Sequence, residues 1–175
     1  MEKIVASERL YTGRILELNR LTVRLQDGTT GYREVVHTNG AAGVLARRAD
    51  GRVLFVRQWH TPLGQETLEL PAGRIEPGES ALHAAQRELN EEGGLAADTW
   101  QPLGRTYQAA GFSDASITLF AASGLHAPAA ARSQDRGEFV TGTWLTLEAA
   151  LAAQQAGTIC DAKTVIGLLH WQLRR

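Results

Sequence analysis

Three carboxylates dominate the chemistry that this sequence can do. Glu88, Glu91 and Glu92 stand at positions i, i+3 and i+4, the spacing that puts side chains on one side of a helix. Like charges so placed repel, and a bound cation removes that cost. Carboxylate oxygens are what hard divalent ions such as Mg²⁺ need, and such ions often share their shell with substrate phosphates. Ala81 and Ala84 lie on nearly the same side, while Leu82, Ala85 and Leu89 form the adjoining apolar stripe. The acidic side is thereby cleared of bulk, which predicts room for a ligand. For a Glu-rich helix taken alone, a solvated acidic face paired with arginines is the competing reading.

The chain around these residues has 175 positions, enough for about one domain that buries roughly two-thirds of its unfolded surface. Hydrophobic residues make up 43% and charged residues 21%, which excludes a disordered or fibrous protein. Eighteen basic against nineteen acidic side chains leave a net charge of -1, without the broad basic field of a nucleic-acid binder. The single Cys160 excludes an intrachain disulfide and a multi-cysteine zinc site, and suits a reducing interior. No apolar run of about eighteen residues occurs, and the start Met1-Glu2-Lys3-Ile4 lacks a signal-peptide pattern. The expectation is a cytoplasmic protein with no membrane or nucleic-acid partner.

Periodicity supplies the elements. Leu21, Val23 and Leu25 alternate with polar residues, Asp27-Gly28 turns the chain, and Tyr32 to His37 follows, so residues 1–40 read as an N-terminal antiparallel β-sheet. The remainder, 41–175, reads as a second region. Ala41 to Leu45 and Val53 to Val56, joined at Asp50-Gly51, predict a hairpin apolar enough to be central in a sheet. Leu68 to Leu70 is a short strand ending at Pro71, and after Pro77-Gly78 a helix is expected from Glu79 to Glu92, with Gly94 as its left-handed cap. Trp100 to Gln108, Ile117 to Ala122 and Phe139 to Leu145 are strand candidates, and Leu147 to Gln155 and Lys163 to Leu173 are helices. Ala127 to Gly137 has no clear period and is the best candidate for a mobile loop.

Written out, the acidic segment runs Gly73, five residues, Glu79, seven residues, Arg87-Glu88, Leu89, Asn90, Glu91-Glu92, Gly93, Gly94 and Leu95. This matches the Nudix box at every specified position, and a chance match in so short a chain is below about one in a million. The sequence therefore resembles the Nudix hydrolases. The resemblance implies an α/β/α sandwich with a mixed sheet that cleaves a nucleoside diphosphate linked to another moiety, using Mg²⁺, with Mn²⁺ as a possible substitute. Carried onto this sequence, it makes Glu88 and Glu92 the principal metal ligands, Glu91 a ligand to another ion or its water shell, and the Ala72 carbonyl a further ligand. Gly73, Glu79, Arg87 and Gly94 become structural members, with a salt bridge from Glu79 to Arg87. A water attacking phosphorus also needs a base, which a carboxylate near the ions can supply.

Beyond the box, Thr67 to Gly73, Val56 to His60, Tyr32 to Val36 and Gly157 to Thr164 resemble the ADP-ribose pyrophosphatase branch. That branch implies a homodimer with exchanged N-terminal sheets. Asp135 to Val140 resembles the loop that brings a catalytic glutamate over the metals, making Glu138 the candidate and Asp135 its alternative, beside Glu91. Arg57, Trp59, His60, Gly111 and Phe112 are the substrate-binding candidates. Arg57 is read either as a phosphate ligand or as the partner of Glu69. Two departures bear on substrate: His60 stands where the branch has Arg, and Ala109, Ala110 and Ala115 replace Ser, Pro and Glu around Gly111-Phe112. The expected activity is a Mg²⁺-dependent pyrophosphohydrolase of nucleoside diphosphate sugars, first ADP-ribose to AMP and ribose 5-phosphate. The alternatives are another nucleotide sugar, NADH or a dinucleoside polyphosphate and, from a different class, a non-catalytic ADP-ribose-sensing domain.

Overall fold

On either side of Asp27-Gly28 the alternating residues form an antiparallel meander: β1 (Lys3–Thr12), β2 (Glu17–Arg24) and β3 (Thr30–His37), in the order β1-β2-β3. Asp27 Oδ1 locks the turn by accepting from the Thr29 N–H at 2.9 Å and the Thr29 hydroxyl at 2.6 Å, while Gly28 takes a φ of 84°, a conformation glycine adopts without steric cost. In these three strands only Val23 is buried, and β1 is exposed along its whole length. The computed structural model describes residues 1–134, 137 and 139–173. Its chain divides into two units, Met1–Gly40 with Thr106–Ile117, and Ala41–Arg105 with Thr118–Arg175. The segment 106–117 joins the meander by backbone pairing: Val36 donates to the Phe112 carbonyl at 2.8 Å, and its own carbonyl accepts from Asp114 at 3.2 Å.

The second unit is α/β. Its strands are β4 (Ala41–Ala46), β5 (Val53–His60), β6 (Gln65–Glu69), β7 (Ala72–Arg74), β8 (Ala96–Tyr107), β9 (Ser116–His126) and β10 (Thr141–Leu145). Strands β8 and β9 carry the chain out of this unit and back. One sheet has the order β7-β4-β9-β8 and the other β10-β5-β6. The expected hairpin of residues 41–56 is a short one: the Arg47–Val53 bridge and the Arg48 N–H to Arg52 carbonyl bond at 2.8 Å close the turn, while β4 and β5 are each central in a different sheet. Both being apolar on two faces, each is served better by a central position than by pairing with the other.

Period-two alternation then sorts side chains into two cores. Ala42, Val44, Ala46 and Leu54 pack with Ala84, Ala85 and Leu89 of α1 (Ala81–Gly93). Leu45, Val53 and Phe55 pack instead with Leu147 and Ala150 of α2 (Leu147–Gln155) and Leu168 and Trp171 of α3 (Ala162–Leu173). Helices on opposite faces of the strands make the sandwich that the box implied. Helix α1 starts two residues later than expected, because Ser80 caps it by accepting from the His83 N–H at 3.2 Å. Glu79 thus lies outside the helix, where it accepts from the Glu76 N–H at 3.1 Å. At the other end Gly94 takes a φ of 64° and donates to Asn90 at 2.9 Å. Leu89 is fully buried beneath this helix. Leu89→Ala should therefore destabilise the protein by about 3 kcal/mol in denaturant titration, through lost burial and the cavity left behind; a change below about 1 kcal/mol would mean that α1 is not held by this core.

Candidate active site

Strand β7 lies antiparallel to β4, with Ala42 opposite Gly73 and Gly43 opposite Ala72, and α1 brings its acids against this strand. A Cβ on Gly73 would sit 1.9 Å from Glu88 Oε1, so only glycine lets that carboxylate lie on the backbone. Beside it the Ala72 N–H donates to Glu92 Oε2 at 3.0 Å. Glu88 and Glu92 are both buried, at 7% exposure. The space for these carboxylates comes from Gly73 and not from the alanines: Ala84 is inside the core, so the clearing expected on its side of the helix is filled by packing.

Arg87 ties the acids together. Its Nε and Nη2 donate to Glu79 at 3.1 Å each, Nη1 bridges Glu88 at 2.5 Å and Glu91 at 2.9 Å, and Nη2 also reaches the Arg74 carbonyl at 2.8 Å. Burial works against the guanidinium charge, but Glu79, Glu88 and Glu91 outweigh it and raise the Arg87 pKa. Burial likewise works against ionised Glu79, and the bonds from Arg87 and Glu76 overcome it, holding Glu79 below the usual carboxylate range. Nη1 of Arg87 stands between two of the acids, and no three His, Cys, Asp or Glu side chains among the described residues are gathered for a metal. Glu79, Glu88 and Glu91 nevertheless share one enclosed guanidinium, with Glu92 beside them on the Ala72 N–H. That excess of hard oxygen donors fits a divalent cation, and Glu88, Glu91, Glu92 and the Ala72 carbonyl are the groups that could hold one.

The end of β5 carries the next three candidates. Val56 is paired with Glu69, so alternation puts His60 on the face of Glu69 and turns Arg57 and Trp59 to the other. His60 Nε2 accordingly lies 2.6 Å from Glu69 Oε1. The second oxygen of Glu69 bonds Lys163, which also donates to Asp161 at 2.9 Å. Burial would lower the Lys163 pKa, but Asp161 and Glu69 raise it. Glu69 is therefore held by His60 and Lys163, and the pairing with Arg57 does not form. Trp59 is 58% exposed.

Gly111 and Phe112 lie in the other unit, on a loop bolted to the end of β3. Asp114 accepts from the Thr38 N–H at 3.0 Å and meets His37 Nδ1 at 2.7 Å, while the Ser113 hydroxyl donates to the Val36 carbonyl at 2.8 Å. Burial favours protonated Asp114, yet His37 and the Thr38 N–H hold its pKa below the ordinary value. Phe112 is exposed on this anchored loop. Glu138 and Asp135 lie outside the described residues.

Residues 37–165 match the NUDIX domain model, and residues 2–36 match the nucleoside diphosphate sugar hydrolase N-terminal domain. The chain belongs to the Nudix hydrolase family. This Nudix hydrolase is 35% identical over 173 residues to an ADP-ribose pyrophosphatase of Bacillus subtilis, with 99% of this chain and 94% of the relative covered. It is 36% identical over 173 residues to a methanol dehydrogenase activator of Bacillus methanolicus, with the same coverage, 99% and 94%. A solved structure described as an ADP compounds hydrolase shares the fold, with a TM-score of 0.83 at 20% identity over 96% of this chain and 90% of the other. No helix among the described residues is long and apolar enough to cross a membrane.

Sequence reasoning missed two members of this region. Asn90 and Arg132 meet across the site, and Arg132 Nη1 reaches Glu91 Oε1 at 3.3 Å; no local pattern announces a contact over more than forty residues. The contact at Gly73 gives a sharp test. In Gly73→Ala the new methyl displaces the Glu88 carboxylate, a movable chain end, so the Tm should change by only a few degrees while Mn²⁺ binding, read by electron paramagnetic resonance, weakens at least about tenfold. Unchanged Mn²⁺ affinity in the folded variant would remove Glu88 from the metal site.

Proposed function

We propose that this Nudix hydrolase is a Mg²⁺-dependent pyrophosphohydrolase of nucleoside diphosphate sugars, acting first on ADP-ribose to give AMP and ribose 5-phosphate, with Mn²⁺ able to substitute. The observation that carries the reading is the packing of Glu88 and Glu92 against Ala72 and Gly73, with Glu91 alongside and a single enclosed guanidinium among them. Glu88, Glu91, Glu92 and the Ala72 carbonyl are the groups that would hold the ion. A bound divalent ion there supplies charge withdrawal from the diphosphate and a more acidic water. Arg87 and Glu79 fix the lead-in of α1, so that the acids keep one orientation while substrate comes and goes. Water oxygen bonds to phosphorus, the bridging P–O bond breaks, and the water proton passes to a carboxylate base, assigned to Glu138 with Asp135 and Glu91 as the alternatives. Because Glu69 holds His60, the phosphate grip on β5 falls to Arg57, with Trp59 offering an exposed ring for stacking.

The likeness to the ADP-ribose pyrophosphatase of Bacillus subtilis along nearly all of both chains supports this choice of substrate. A product assay on purified protein with Mg²⁺ tests it, offering ADP-ribose beside GDP-mannose, NADH, diadenosine polyphosphates and nucleoside triphosphates. AMP should be released chiefly from ADP-ribose, and Glu92→Gln should lower kcat by about a hundredfold or more with folding intact. Preference for another compound would overturn the choice of ADP-ribose and leave the hydrolase reading in place. One observation favours a second reading, the similarity to a methanol dehydrogenase activator: action on a partner dehydrogenase, which silence across the panel would promote.

The exposed apolar side chains Ile4, Val5, Leu10, Tyr11 and Tyr32 of the meander support a homodimer in which the N-terminal sheet packs on a second copy, in a cytoplasmic protein. Sedimentation equilibrium should give twice the chain mass at micromolar concentration, and a monomer would sink the shared sheet.

A further inference from the structure

We propose that Arg132 binds the substrate's diphosphate and that Asn90 is the positioning residue that delivers it; the proposal rests on the hydrolase reading above. Asn90 stands at the one position between Glu88 and Glu92 for which the box specifies neither a charge nor an aliphatic side chain. Its carboxamide works in both directions at once. Nδ2 donates to the Ala130 carbonyl at 2.9 Å, and Oδ1 accepts from the Arg132 N–H at 2.9 Å. Bonding the carbonyl of one residue and the N–H of the next but one is how a residue in a strand pairs with a parallel neighbour. A single side chain of α1 thereby holds residues 130–132 in register with the acidic helix, and only a carboxamide supplies both donor and acceptor at this length.

This register decides where the guanidinium of Arg132 goes. Nη1 lies 3.3 Å from Glu91 Oε1, while the other oxygen of Glu91 is taken by Arg87. The two arginines differ in what holds them: Arg87 is enclosed and bonded to four partners, whereas the Arg132 side chain is 57% exposed on a long contact. An exposed ion pair of that kind contributes little and is readily exchanged. A diphosphate ester offers guanidinium two oxygens in the right plane and a higher charge than one carboxylate. Arg87, Asn90 and Arg132 line a cavity of about 530 Å³ walled by Trp100 and Pro128, on the side of α1 bordered by Glu79 and not by Glu88 or Glu92, and Arg132 reaches from this side to Glu91. Arg132 is thus the cation of the site that can leave its carboxylate for an incoming anion.

The test compares Asn90→Ala, Arg132→Gln and the double variant with the unmodified protein. Steady-state kinetics on its best substrate and calorimetric binding of α,β-methylene-ADP with Mg²⁺, a diphosphate that resists cleavage at the bridge, give the two main readouts. Each single variant should raise KM and the Kd of this probe by about tenfold, with kcat and Tm little changed. The double variant should be no worse than Arg132→Gln, because Asn90 acts only through Arg132. Hydrogen exchange at the Arg132 N–H should accelerate in Asn90→Ala and stay slow in Arg132→Gln. KM and Kd within twofold of the unmodified protein in Arg132→Gln would overturn the diphosphate contact. Effects that multiply in the double variant, or unaltered exchange in Asn90→Ala, would overturn the positioning role. Binding of the probe without turnover of any substrate would defeat the hydrolase reading alone, whereas absence of both would defeat the two together.

Discussion

The guanidinium of Arg87 makes its bonds to Glu79, Glu88, Glu91 and the Arg74 carbonyl from an enclosed position, and the rest of the site takes its geometry from that arrangement. Like charges at helical spacing repel, and without a cation among them the acids would turn outward to water. Arg87 holds two of them inward and joins the helix to the segment before it. Because three carboxylates share this one enclosed cation, and Arg132 reaches Glu91 only by a longer, exposed contact, the cluster is arranged by a minority of positive charge. A fully compensated cluster would have little need of a metal, and an uncompensated one would not stay folded.

The same logic of partial compensation recurs on β5. Glu69 is buried and its oxygens are divided between His60 and Lys163, so a charge that would be costly alone becomes a link from the strand to the start of α3. His60 is committed to that link, which gives its position a structural duty beside any contact with substrate. Arg57, turned to the opposite face by strand alternation, carries no such duty.

What could be read from the sequence follows the range of the interactions. The acidic face of α1, its Gly94 cap, the meander about Asp27-Gly28 and helices α2 and α3 all depend on neighbours within a few residues, and their patterns were legible. The Glu79–Arg87 pair was implied by the resemblance to the Nudix box. Strand β7 was not legible, because three residues beside Pro71 show no period and their pairing is set by β4. The separation of β4 and β5 into different sheets, the hold of Lys163 on Glu69 and the clamp of Asn90 on residues 130–132 are contacts between distant parts of the chain. Nothing local distinguishes Asn90 from a solvated helix residue, and nothing distinguishes Glu69 from a charge that Arg57 would satisfy until the strand register is known.

The pairing of Val36 with Phe112 and Asp114 bears on how separable the two parts of this chain are. A border drawn after Gly40 suggests a module that a gene fusion or a protease could remove while leaving a self-sufficient remainder. Residues 106–117 belong to the first unit although they are encoded far downstream, and excision of Met1–Gly40 would leave their backbone groups without the strand that satisfies them. Inheritance of the two parts is therefore linked: neither can be exchanged for a foreign counterpart unless the replacement presents a β3 edge that this inserted loop can join.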